Sequence, residues 1–185
     1  MRALLIVIVL GALGTRMGML ARPFANDSGL YIYLGKTIAT GGVLYRDAYD
    51  TKPPGVALLT SLCWRAFGSW WAGYVLLQTL AALGTAMLLG KSLARHLGEA
   101  ARWPAALFAV VYLNFGPAVL GGFQLETILA CLAIVAACCG VEAMTRRSRW
   151  LAFLSGLAGG CAGTIKPTGL AVMGDRKSTR LNSSH

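Results

Sequence analysis

Five long apolar runs, at residues 3–21, 70–90, 103–120, 125–143 and 150–173, set the limits on what this chain can become. A helix that crosses the hydrocarbon core of a bilayer needs about 20 mostly apolar residues, and each run meets that length. Only 13% of the 185 residues are charged while 56% are hydrophobic, against roughly 25% charged in an ordinary soluble domain. The expected fold is therefore all-α, a multi-pass membrane helical bundle of about five transmembrane helices with interfacial helices in the first outer loop, residues 22–69. The net charge of +10 does not point to nucleic acid, because the basic residues stand singly or in short groups between apolar runs and form no single soluble face.

The last eleven residues, Asp175–His185 with the sequence DRKSTRLNSSH, read as the translation of a short-read sequencing adapter. They are set apart from the fold as a non-native tail. Without them 14 basic and 6 acidic residues are left, and His96 is the one remaining histidine. Residues 1–174 are accordingly expected to be the N-terminal part of a longer membrane domain. Cys63, Cys131, Cys138, Cys139 and Cys161 lie in apolar surroundings with no CxxC spacing. They read as small buried hydrophobes, with neither a zinc site nor a disulfide framework implied.

Residues 55–67 are apolar but short and carry Arg65, which suits an interfacial or re-entrant helix. The charges support this choice. If that segment does not cross, Arg2, the Lys91/Arg95/Arg102 loop and the Arg146/Arg147/Arg149 loop all face the cytoplasm, as positive-inside bias requires. The first loop and residues 121–124 then lie on the outer face. The localisation expected is a cell membrane, of the bacterial inner-membrane type, with a cytoplasmic N-terminus and a periplasmic or extracellular active face. Arg16, near the far end of the first run, is expected to snorkel to the interface.

The spacing Leu30, Leu34, Ile38, with Tyr31 beside it, predicts a surface-lying helix over residues 28–40. Asp27 or Ser28 would cap it and Gly41-Gly42 would stop it. Tyr31, Tyr33, Tyr45 and Tyr49 suit an interface, where one end of the ring is apolar and the other wet. The overlapping GxxxG spacings Gly156/Gly160 and Gly159/Gly163 read as close helix packing.

The candidates for chemistry gather in the polar stretch at residues 26–55. Asp27 reads as a helix cap or as a base, and the two roles are compatible. Asp47 and Asp50 read as solvated loop acids, with Arg46 a partner for them, or as supporting acids. Lys52 precedes Pro53-Pro54-Gly55, and the prolines fix the backbone and push Lys52 into an extended conformation. A lysine held that way at a membrane surface meets a phosphate as a point charge. Its plainer reading is a snorkelling lysine before a helix start. Glu126 is either a first-turn acid favoured by the helix dipole or a second carboxylate converging with Asp27 and Lys52 on the outer face. Lys166-Pro167 is either an interface lysine at a proline kink or a second cation for the phosphate. Gly90-Lys91-Ser92 is not a phosphate loop, since Thr85 stands where the loop needs glycine. Asn26-Asp27-Ser28 fits a glycosylation sequon too common to carry weight.

Asp27-Ser28-Gly29-Leu30-Tyr31, Gly42-Val43-Leu44-Tyr45-Arg46-Asp47 and Lys52-Pro53-Pro54-Gly55 together resemble the opening loop of the integral-membrane GT-C glycosyltransferases. The branch most similar is that of dolichyl-phosphate-mannose protein mannosyltransferases and aminoarabinose transferases. The likeness continues weakly through Glu126-Thr127 to Thr164-Ile165-Lys166. It implies an inverting transfer of a sugar from a polyprenyl-phosphate donor to an acceptor hydroxyl on a glycan, lipid or protein. In that resemblance Asp27 is the catalytic base or a metal partner, Glu126 the second acid, and Lys52, with Lys166, the holder of the donor phosphate. Tyr31, Tyr45, Arg46, Asp47 and Asp50 support them. Many members have Asp-Glu where this chain has Asp27-Ser28, so a divalent ion (Mg or Mn) on Asp27 and Glu126 stays open. A reading of another class is a transporter or lipid flippase subunit; a third is a non-catalytic scaffold.

Overall fold

The computed structural model describes residues 27–115 and 123–170, with Ile6, Val7, Leu10, Gly11, Gly14 and Arg16 of the first apolar run, all helical. Six α-helices follow in order: α1 Asp27–Ala39, α2 Gly55–Phe67, α3 Trp71–Leu97, α4 Arg102–Phe115, α5 Leu125–Arg146 and α6 Arg149–Ile165. Short 3-10 turns, Glu99–Ala101 and Pro167–Leu170, precede α4 and follow α6. Among the described residues there is no strand, so the all-helical expectation holds. Residues 175–185, read above as a non-native tail, lie outside the described residues, as does most of the first run.

Among the described residues two helices are long and apolar enough to cross a membrane, α3 with 27 residues and α5 with 22. At 1.5 Å per residue they reach about 40 and about 33 Å, against a hydrocarbon core of about 30 Å. Helix α3 runs past the expected end at residue 90, through Lys91 and Arg95, and stops at Gly98, whose φ is +93°. Helix α6 is shorter than its apolar run. Lys166 precedes Pro167, which disfavours helical backbone, and it is extended at φ −149°, ψ 131°. The run at 103–120 is described as helix only as far as Phe115.

The first loop differs most from expectation. The apolar face of α1 does not lie open for lipid; α2 covers it. Leu34 is 1% exposed and packs with Ala57 and Ala48, with Ile38 and Leu44 at the edge. Gly35 permits this, because a Cβ there would stand 2.5 Å from the Thr60 carbonyl carbon. Only a glycine lets the two backbones approach so closely. Leu30 alone of the predicted stripe remains exposed. The stop is as expected: Gly41, at φ +92°, bonds back to Ile38 (3.1 Å) and Gly42 to Thr37 (2.8 Å), the paired bonds of a Schellman motif. The residues before Asp27 lie outside the described ones; within α1 the Ser28 hydroxyl donates to the Phe123 carbonyl at 2.8 Å.

Helices α3 and α5 run parallel, because they meet at both ends. Gln78 Nε2 donates to the Gln124 carbonyl at 2.9 Å near their starts, and Arg95 pairs with Glu142 at 2.6 Å near their ends. Helices α4 and α6 return beside them. Gly90 passes close to Arg102, Ala82 packs with Leu113 and Cys131, and Ser155 donates to the Ala136 carbonyl at 2.7 Å. Of the GxxxG glycines, Gly159 is buried, whereas a Cβ at Gly156 or Gly160 would meet nothing within 4 Å. Close packing therefore uses one face of that pattern. The bundle has a basic end at the α3–α4 and α5–α6 turns, and an opposite end where α1 and α2 sit.

Gly35→Val should lower stability by about 3 kcal/mol, as overpacking of a close helix contact does. Gly41→Ala should cost about 1 kcal/mol, from its positive φ alone. Thermal unfolding in detergent, followed by circular dichroism, checks the order of the two.

Candidate functional site

Lys52 is fixed from both sides. After it, Pro53 and Pro54 lead into α2; before it, residues 43–50 fold onto themselves. Tyr45 N–H bonds to the Ala48 carbonyl at 2.7 Å, and the Tyr45 hydroxyl donates to the carbonyl of Lys52 itself at 2.8 Å. Tyr45 takes a φ of +68° to do this, uncommon for a non-glycine residue. Asp47 accepts from Val43 N–H at 2.7 Å and holds Arg46 through two contacts of 2.9 Å. Arg46 and Asp47 therefore shape the turn and do not reach the site. The Arg46 guanidinium and the Val43 amide hold the Asp47 carboxyl below its ordinary value.

From this loop the Lys52 ammonium reaches across to α1. It donates to the Tyr31 hydroxyl at 2.6 Å and lies 3.6 Å from Asp27 Oδ2. Tyr31 in turn donates to Asp27 Oδ2 at 3.2 Å. The three groups form one connected set. Partial burial pulls Lys52 down, but the Tyr31 hydroxyl and the charges of Asp50 and Asp27 outweigh it and hold the ammonium above its usual 10.5. Burial pushes the Tyr31 hydroxyl above 10.0, with Lys52 opposing and Asp27 adding. At neutral pH the lysine is charged and the tyrosine protonated. Asp50 stands behind them, touched by Thr51 at 3.5 Å, with its Oδ2 buried and without a hydrogen-bond donor.

A second pair completes this end of the bundle. Glu126, in the first turn of α5, meets Lys166, just past α6, at 3.5 Å. The two pairs frame one apolar cluster made of Tyr31, Val56, Leu125 and Ile165. These come from α1, α2, α5 and α6 respectively, each within four residues of Asp27, Lys52, Glu126 or Lys166. Gly55 seals the junction, since its backbone rests on Thr164 in the last turn of α6. The sequence-predicted charges thus resolve into two lysine–carboxylate pairs at one end.

Chemically, this is two cations, each beside a carboxylate and partly open: the Lys52 and Lys166 side chains are 31% and 45% exposed. Such an arrangement can take an oxyanion on the lysines and a proton on a carboxylate. A divalent ion at Asp27 or Glu126 would bind beside a lysine ammonium that already faces the carboxylate. Among the described residues no group of three or more His, Cys, Asp or Glu gathers to hold a metal.

Sequence reading missed two buried polar centres. Arg16 does not snorkel; it is 2% exposed and donates to Asn114 Oδ1 (2.9 Å), Gln78 Oε1 (3.3 Å) and the Leu113 carbonyl (3.2 Å). Gln78 and Asn114, single amides within apolar runs near the same end, were the signal for it. At the basic end, buried Glu142 is clasped by Arg95 and Arg146, each at 2.6 Å. Compared with protein-family models, characterised proteins and solved structures, the chain matches none of them.

Because the Lys52 value is raised on folding, its link to Tyr31 and Asp27 contributes stability in full below pH 10.5 and loses it as pH rises through the folded value. The gap in thermal midpoint between wild type and Lys52→Met should stay constant from pH 7 to 10 and close above that. Midpoints measured across this range check it.

Proposed function

We propose that this chain carries the membrane-embedded part of a glycosyltransferase that moves a sugar from a polyprenyl-phosphate donor to an acceptor hydroxyl at the outer membrane face, with inversion. The observation that carries the reading is the Lys52 ammonium, held by Tyr31 at 2.6 Å beside the Asp27 carboxylate. It joins the likeness of residues 27–55 to the opening loop of GT-C enzymes. The bundle crosses by five spans, two of which are α3 and α5, with α1 and α2 lying on the outer side. Charge supports that orientation: Lys91, Arg95, Arg102, Arg146, Arg147 and Arg149 all belong to the opposite end, which positive-inside bias assigns to the cytoplasm.

The acceptor oxygen attacks the anomeric carbon from the face opposite the phosphate, and its proton passes to an Asp27 carboxylate oxygen, which acts as general base. The bond from the anomeric carbon to the phosphate oxygen breaks, and its electron pair leaves with that oxygen. The lipid phosphate gains charge in this step. Lys52, with Lys166 as a second cation, offsets it where it develops. Glu126 keeps Lys166 at the mouth of the site. The isoprenoid tail stays in the bilayer, so donor and acceptor meet at the interface.

A transporter subunit is the second reading, and the buried Arg16–Gln78–Asn114 contacts are its support, since polar groups inside apolar segments mark substrate paths. Lys52 and Asp27 stand apart from that path, at the end of the bundle.

Membranes containing the full-length enzyme, given a labelled polyprenyl-phosphate sugar, should transfer label to an acceptor. Lys52→Ala and Asp27→Asn should each lower transfer by about 100-fold or more, with insertion, read by protease protection, unchanged. Normal turnover in either variant would sink the assignment, and label crossing the membrane without bond cleavage would favour the transporter.

A further inference from the structure

We infer that Tyr31 is a positioning residue that fixes Lys52 and Asp27 as one unit, in which an incoming lipid phosphate and the Asp27 carboxylate compete for the same ammonium. This rests on the donor-phosphate reading above. Tyr31 is 3% exposed, and its ring is locked in the cluster with Val56, Leu125 and Ile165. Its hydroxyl is therefore a rigid point on a rigid helix, while the lysine stem is flexible. A hydroxyl both accepts and donates, and here it does each once: it accepts from Lys52 at 2.6 Å and donates to Asp27 at 3.2 Å. A phenylalanine would keep the packing and lose both.

An ammonium has three donors. Tyr31 takes one, and Asp27 Oδ2, at 3.6 Å, acts on Lys52 through charge. At least one donor is left for a phosphate oxygen, and no existing bond must break to admit it. Its negative charge, however, draws on the cation that Asp27 already holds. Asp50 adds to the same competition from the loop. Across the apolar cluster, Glu126 and Lys166 neutralise one another at 3.5 Å. Once the phosphate is seated, Lys52 holds Asp27 less firmly, and the carboxylate is released to take the acceptor proton. Donor capture thereby precedes base action. Coupling between sites is reciprocal, so removing the Asp27 charge must strengthen phosphate binding even as it removes the base.

The test is binding of farnesyl phosphate, with farnesol as the uncharged control, to the full chain in detergent micelles by titration calorimetry. Tyr31→Phe should bind about tenfold more weakly, the loss of one charge-assisted hydrogen bond. Asp27→Asn should bind severalfold more tightly, which a purely structural role for the pair does not predict. A second readout is acetylation of Lys52 by an amine-reactive ester, followed by mass spectrometry: farnesyl phosphate should slow it in wild type, and Tyr31→Phe should speed it without ligand. Unchanged affinity and unchanged acetylation in Tyr31→Phe overturn the positioning role. Weaker binding in Asp27→Asn overturns the competition. If wild type binds neither farnesyl phosphate nor shields Lys52 with it, the donor-phosphate reading itself falls, while faster acetylation in Tyr31→Phe would still show the link. Should Tyr31→Phe unfold, the Asp27→Asn affinity and the wild-type acetylation decide alone.

Discussion

Tyr31 belongs to the interior and to the site at once, and the arrangement of the end of the bundle opposite the basic turns depends on it. Its ring joins α1 to α2, α5 and α6 through Val56, Leu125 and Ile165. Its hydroxyl carries Lys52 and Asp27. Packing and electrostatics are thus coupled through one side chain. Interiors are close-packed and transmit small displacements, so the separation of the cation and the carboxylate is set by how four helices meet. A site built on a loop alone would lack that constraint.

The close approach of backbones makes this possible. Gly35 lets α2 lie against α1, and Gly55 lets the start of α2 rest on the last turn of α6. Between those two contacts the lysine loop has little freedom, and its own bonds remove more: Asp47 closes the turn and Tyr45 holds the Lys52 carbonyl. Arg46, Asp47 and Tyr45 serve the site by rigidity and not by contact. Their polar groups are spent within the loop, which leaves Lys52 as the loop's cation reaching across to α1.

The sequence patterns that proved legible were local ones. Gly41-Gly42 marks the end of α1 because a Schellman turn needs positive φ at one fixed position. Lys166-Pro167, read as a kink within the apolar run, instead ends α6, because a proline disfavours helical backbone at the residue before it. The spacing of Leu30, Leu34 and Ile38 revealed the helix but not its partner, because one stripe satisfies a bilayer or another helix equally well. Lys52 and Asp27 were legible as residues out of place among apolar runs. Their union through Tyr31 was not, since it depends on a contact between positions 21 residues apart. Arg16 shows the same limit: its amide partners are 62 and 98 residues away.

The charges of the bundle divide by end, and each end settles its electrostatics differently. At the basic end Glu142 is nearly enclosed, with two arginines within 2.6 Å, and a carboxylate so bound has little left to offer a ligand. At the other end the ion-pair contacts are longer, 3.5 and 3.6 Å, and the lysines are partly open to solvent. Exposed ion pairs contribute roughly 0–1 kcal/mol, so opening them for a ligand costs little. A tight pair serves structure; a loose one, held in place by a buried tyrosine, can exchange its partner. That contrast, more than the presence of charge, is what favours the end where α1 and α2 meet α5 and α6 for the chemistry proposed.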